Sequence, residues 1–170
     1  MENYLIMQRS HSIFLSEHNY SSSAIGFFWG SAVISEIIMF IFMARIIKKW
    51  NVKILILGTI LITAVRWFII GFFVDYYVLL FIAQILHAIT YGVFHATSIM
   101  LIAKYFKGNN KSRGQAIYLS LSYGLGGAIG SALAGFYWDK LGGTIIFNIC
   151  MLIMFIIFPL YYKNITKTLA

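Results

Sequence analysis

Residues 61–73 read "LITAVRWFIIGFF". A single arginine, Arg66, sits in the middle of a run that is otherwise uncharged and mostly apolar. The run continues in both directions, from Ile54 to Val74, and so has about the 20 residues a helix needs to cross a bilayer. A permanent cation at the centre of such a span costs about 2.5–3.5 kcal/mol on insertion scales, so it points to a function and needs a partner. The stretch sets two questions: how many such spans the chain has, and what compensates the charge.

Outside this stretch the chain keeps the same character. Its 170 residues are 61% hydrophobic and 11% charged, whereas a soluble domain carries roughly 25% charged residues. The fold class that follows is all-α, a polytopic helical membrane protein with five transmembrane helices. These run over Ala24–Ala44, Ile54–Val74, Tyr76–Ala103, Ala116–Trp138 and Thr144–Tyr162. Short polar connections ("RIIKKWNVK", a turn at Asp75, "KYFKGNNKSRG" and "DKLGG") leave no room for a soluble domain. Residues 1–23 then form an external N-terminal tail holding the remnant of a preceding helix, 24–162 the bundle, and 163–170 a cytoplasmic tail.

The net charge of +8 does not point to nucleic acid, because the cations lie in short clusters between apolar runs with no interleaved aromatics. The lone cysteine, Cys150, lies in an apolar run and permits no internal disulfide. No CxxC or histidine-box spacing occurs, so no metal or cofactor is expected.

Lysines and arginines in the connections set orientation. The first connection carries Arg45, Lys48, Lys49 and Lys53, the third Lys104, Lys107, Lys111 and Arg113, and the tail Lys163 and Lys167. The opposite side has Lys140 and Arg9. This bias puts the C-terminus in the cytoplasm and the N-terminus outside the cell membrane. Such a chain must export residues 1–23 without the features of a signal peptide. The segment "HSIFLSEHNYSSS" reads as the end of an earlier helix plus an external loop. A further preceding span would remove the anomaly, so the chain is expected to be a fragment.

Four ionisable residues fall inside spans: Glu36, Arg66, His87 and His95. At 1.5 Å per residue the first three lie at similar depth near mid-membrane. At 100° per residue, Gln84, His87, Tyr91, His95 and Ser98 share one face of the third span, Thr59, Thr63 and Arg66 one face of the second, and Trp29 lies two turns from Glu36. That pattern predicts a wet cavity for substrate binding or proton coupling. The plainer alternatives are a structural ion pair between Arg66 and Glu36, and interhelical hydrogen bonding by His95. Tyr76, Tyr77, Tyr161 and Tyr162 flank spans and read as interfacial anchors. In the fourth span, Gly124, Ala128, Ser131 and Gly135 line one face with Gly127 beside them. That spacing lets helix backbones come close, for static packing or for sliding.

These residues resemble a known family. "YSSSAIGFFWGSAVISEIIMFIF", "LILGTILITAVRW", "AQILHAITYGVFHA" and "RGQAIYLSLSYGLGGAIGSALAGFYWDKLGG" are similar to the eighth to eleventh helices of the major facilitator superfamily, in the lactose-permease-like branch that includes phenylpropionate permeases. The resemblance covers about residues 13–162 and implies helices 8–12 of a twelve-span transporter whose substrate lies between two halves. It matches Arg66 and His87 to the arginine and histidine of that branch's coupling network. The network's carboxylate one turn beyond the histidine is replaced here by Thr90, which leaves Glu36 as the buried carboxylate and argues against a galactoside.

The expected function is the C-terminal half of a proton-coupled secondary transporter for a small organic solute such as an aromatic acid, sugar or nucleoside. It would not transport alone, and its partners would be the bilayer, solute, protons and a separate N-terminal half. The alternative is a non-transporting membrane protein that docks another membrane protein. An enzyme is not expected, since no paired carboxylates or nucleophile–base pair occur among the buried residues.

Overall fold

The computed structural model describes residues 2–108 and 110–168, with the side chains of 10–108 and 110–163. Helix α1 spans Glu2–Glu17. It is followed by α2, Ser22–Lys49, and α3, Val52–Phe72. Polar caps punctuate these starts as the sequence allows. Ser21 accepts the Ala24 amide at 3.2 Å and Asn51 the Lys53 amide at 2.9 Å, each satisfying a donor that a helix start leaves unpaired. Helix α4 runs Tyr77–Tyr105 and contains a π turn at Ala88–Val93. A last helical run starts at Asn110 and passes a second π turn at Ser120–Leu125.

That run continues over Gly126–Thr168 but breaks at Gly142, where φ is 77° and ψ 157°. Only glycine adopts this backbone without strain, so the expected "DKLGG" loop contracts to a corner at one residue. The stretch before it, 110–141, is α5, and that after it, 143–168, is α6. The fifth span therefore turns back on the fourth almost without a connection. Pro159 lies inside α6, and the helix passes it rather than ending near Tyr162.

Helix α6 packs antiparallel on α3. Near its start Phe147 stacks on Trp67, with centroids 5.4 Å apart and planes 18° from parallel. Near its end the Tyr162 ring receives Lys53 Nζ at 4.4 Å. Gly71 permits the approach, because a Cβ there would lie 2.5 Å from Asn148 Oδ1. The main core gathers Phe14 and Leu15 of α1, Phe28 of α2, Trp67 and Ile70 of α3, Leu80 of α4 and Phe147 of α6. Each aromatic contact within it adds about 0.5–1.5 kcal/mol beyond area burial. Elsewhere large apolar side chains such as Ile41, Phe136 and Ile156 are exposed. Four helical stretches are long and apolar enough to cross a membrane: Ser22–Lys49, Val52–Phe72, Tyr77–Tyr105 and Asn110–Lys163. The last is twice a span in length because it folds back at Gly142.

Candidate site between α1, α2, α3, α4 and α5

Arg66 is buried on α3, beside Trp67. Its Nε donates to the Ala83 carbonyl of α4 at 3.1 Å, and its guanidinium lies 4.9 Å from the Trp67 ring centroid. A backbone dipole and an aromatic face therefore both contribute to holding the charge. The guanidinium acts electrostatically on His87 and on His11.

Glu36 of α2 and His87 of α4 meet directly. Glu36 Oε1 lies 3.0 Å from His87 Nε2, with both side chains 13% exposed. From His87 a column of rings descends α4: His87 and Tyr91 stack at 5.6 Å and 18°, and Tyr91 and His95 at 5.7 Å and 8°. The column runs through the π turn, which adds a residue to the local helical repeat. His95 Nδ1 lies 3.1 Å from the Tyr123 hydroxyl of α5.

Other members of the expected set point elsewhere. Gln84 is buried against α1, its Nε2 3.1 Å from His11 Nε2. Trp29 donates its indole N–H to Ser12 Oγ of α1 at 3.0 Å. The Thr59 and Thr63 hydroxyls donate within α3, to Ile56 and Thr59 carbonyls at 2.8 and 2.7 Å. With Thr90, whose hydroxyl donates to the His87 carbonyl at 3.2 Å, they line a cavity of about 250 Å³ together with Phe94, Met154 and Ile157. Since these hydroxyls spend their protons on their own helices, the cavity wall is largely apolar.

Gly124, Ala128 and Gly135 are exposed on α5, and Gly127 and Ser131 half-buried. A Cβ at Gly124 or Gly135 would meet nothing within 4 Å among the described residues. Ser131 donates to the Gly127 carbonyl at 2.6 Å, so its hydroxyl is satisfied within its own helix.

Three contributions escape a reading confined to five spans. His11 enters from α1, a segment read as tail. The recurrence of His11, Phe14, Leu15 and His18 at helical spacing was the available signal. Tyr118 and Tyr123 enter from α5, where sequence alone does not separate an inward tyrosine from an interfacial one. Asn148, with its Oδ1 buried in α6, stands among apolar residues and could have been noticed as a polar interruption.

With this geometry in place, likeness to known proteins can be weighed. The sequence model of the MFS_1 like family matches residues 1–149. The probable 3-phenylpropionic acid transporter of Escherichia coli (strain K12) is 30% identical over 131 residues, covering 77% of this chain and 34% of that relative. The chain thus spans about a third of the length of the curated relative it matches. No solved structure matches it. A family match over most of the chain agrees with apolar helices that enclose a mid-span arginine, glutamate and histidine, and on these grounds the chain belongs to the MFS_1 like family of the major facilitator superfamily.

Proposed function

We propose that the chain forms the coupling part of a proton-driven secondary transporter for a small organic acid. The observation that carries this reading is the Glu36–His87 pair, 3.0 Å apart and 13% exposed, with the Arg66 guanidinium acting electrostatically on His87. Arg66 supplies the cation that a substrate carboxylate needs, and Glu36, paired with His87, supplies a carboxylate that can carry a proton. Moving both together would join solute and proton in one transit. The relative named for 3-phenylpropionic acid supports an aromatic acid as solute. The distribution of Lys and Arg supports an N-terminus outside and a C-terminus in the cytoplasm of the inner membrane. Residues 1–23 would be the outer end of a preceding helix with its loop, and 163–170 a cytoplasmic tail. Nothing in this role calls for bond-breaking chemistry, so we read the protein as a transporter and not an enzyme.

The test is uptake of 3-phenylpropionate into proteoliposomes under an imposed proton gradient. The chain alone should not accumulate solute. Combined with the N-terminal portion of the Escherichia coli relative, it should, and Glu36→Gln should abolish proton-driven accumulation while retaining solute exchange. Normal accumulation by Glu36→Gln would remove Glu36 from coupling. Arg66→Lys keeps the charge but loses the planar fork, and wild-type affinity in that variant would end the carboxylate-clamp role.

A second reading is favoured by the exposed small-residue stripe of α5: a non-transporting membrane protein that docks a partner through that face. Co-purification with a partner without any transport by the pair would select it.

A further inference from the structure

The two π turns meet through their tyrosine rings. Each carries a Tyr-Gly pair, Tyr91-Gly92 on α4 and Tyr123-Gly124 on α5. The two tyrosine rings are 6.1 Å apart and steeply inclined at 69°. Tyr118, one turn before Tyr123, completes the cluster at 5.9 Å from both His95 and Tyr123. A π turn displaces the side chains on either side of it, and such turns concentrate at functional sites. Here two of them bring one imidazole and three phenols together in a patch with no formal charge.

The patch has a polar imbalance. Tyr123 and His95 share one hydrogen bond, but the buried Tyr118 hydroxyl reaches only toward Tyr123, without a close hydrogen bond among the described residues. Buried polar groups are rarely left so. The ring column places this patch eight residues below His87, about 12 Å along the helix. A site with a cation and an imidazole at one end and an under-satisfied phenol pair at the other accommodates a ligand with matching ends.

We infer that Tyr118, Tyr123 and His95 read a hydroxyl on the far end of the solute, so that the site selects aryl-alkanoic acids bearing a ring hydroxyl over unsubstituted ones. This rests on the solute-binding reading above and adds specificity determinants that the coupling residues do not supply. The solute's carboxylate lies toward Arg66 and His87, its ring beside the Tyr91 face, and its hydroxyl donates to or accepts from Tyr118. The ring edges are partly exposed, and the π turn of α5 contains no buried residue. A side-chain rotation of Tyr118 or Tyr123 is therefore the movement that admits the solute hydroxyl. A site built to hydrogen-bond a substrate hydroxyl penalises the analogue that lacks it, because its own polar groups then stay unpaired.

The experiment compares equilibrium binding of radiolabelled 3-phenylpropionate and 3-(4-hydroxyphenyl)propionate to the full chain combined with the N-terminal portion of the Escherichia coli relative in lipid nanodiscs. The hydroxylated acid should bind about tenfold more tightly. Tyr118→Phe and Tyr123→Phe should each erase that preference, and an unchanged circular dichroism spectrum and melting temperature report intact folding. Equal binding of the two acids, or a preference that survives both substitutions, overturns the inference and leaves the solute-binding reading standing. Failure of both acids to bind overturns both.

Discussion

Helices α3 and α5 are both built from apolar and small residues, yet the fold treats them oppositely. Along α3 the buried set runs from Leu55 through Thr59, Ala64, Arg66 and Trp67 to Gly71, and α6 covers most of one side. Along α5 the exposed residues include Leu121, Leu125, Ile129, Leu133 and Phe136, and a Cβ at Gly130 or Gly135 would meet nothing within 4 Å among the described residues. Hydropathy does not separate the two helices. Contact does: α3 is a structural pillar that has found its partners along its length, whereas α5 is held at its ends, by Gly114 against Phe106 and by Trp138 against Phe14 and Glu17, and leaves large apolar side chains between them exposed to lipid or to another protein.

The comparison predicts unequal responses to mutation. The largest should come at Trp67, which stacks on Phe147 and lies beneath Arg66. Trp67→Ala should destabilise the bundle by about 3–5 kcal/mol, whereas Leu133→Ala on the exposed side of α5 should stay within about 0.5 kcal/mol. Chemical denaturation in detergent, followed by circular dichroism, measures both, and equal losses would erase the distinction between pillar and open face.

A second contrast uses glycines. At Gly143, just past the corner, a Cβ would collide with the Phe14 ring and lie 3.0 Å from Trp138. Gly143→Ala should cost about 1–3 kcal/mol through overpacking. Gly124→Ala meets open space and should be neutral or stabilising by up to about 1 kcal/mol, since alanine is the better helix former. If Gly124→Ala instead lowers the melting temperature as far as Gly143→Ala does, α5 has a partner in the isolated chain.

A smaller effect is expected at the end of the bundle where α1 meets α2. The Tyr20 hydroxyl donates to the Val74 carbonyl at 2.7 Å, tying the turn between α1 and α2 to the turn before α4. Tyr20→Phe should cost about 1 kcal/mol. Burial first, and then Asp75 and Tyr77, hold the Tyr20 phenol above its ordinary value of 10. The unfolded phenol therefore ionises before the folded one. This contribution is complete below pH 10 and is lost as pH rises through the higher folded value. Tyr20→Phe should flatten that alkaline decline, and an unchanged pH profile would show that the tie carries no stability.

Much of this was legible before any coordinates. Span number follows from run length, because each bilayer crossing must satisfy its backbone within one helix. The mid-span arginine, glutamate and histidines announced themselves by their cost. The face arithmetic placed His87, Tyr91 and His95 together, and the rings do stack. It grouped Gln84 with them too, but that side chain turns to α1. The arithmetic assumed a uniform helical repeat, and it also left α1 out of the bundle. Trp29 misled for the second reason: two turns from Glu36 on a helical wheel, its N–H is taken by Ser12 of a helix that a five-span reading counted as tail.

Composition and periodicity thus decided the solvent, the spans and the inventory of costly polar groups, since a bilayer charges for each residue by its own chemistry. They could not decide which of those groups meet. Pairing Glu36 with His87, resting Arg66 on Ala83 and Trp67, bringing in His11 and setting Tyr123 against Tyr91 all depend on how helices distant in sequence rotate and cross. Those angles are set by the packing of every helix at once, with small residues such as Gly71 fixing how closely two backbones can approach.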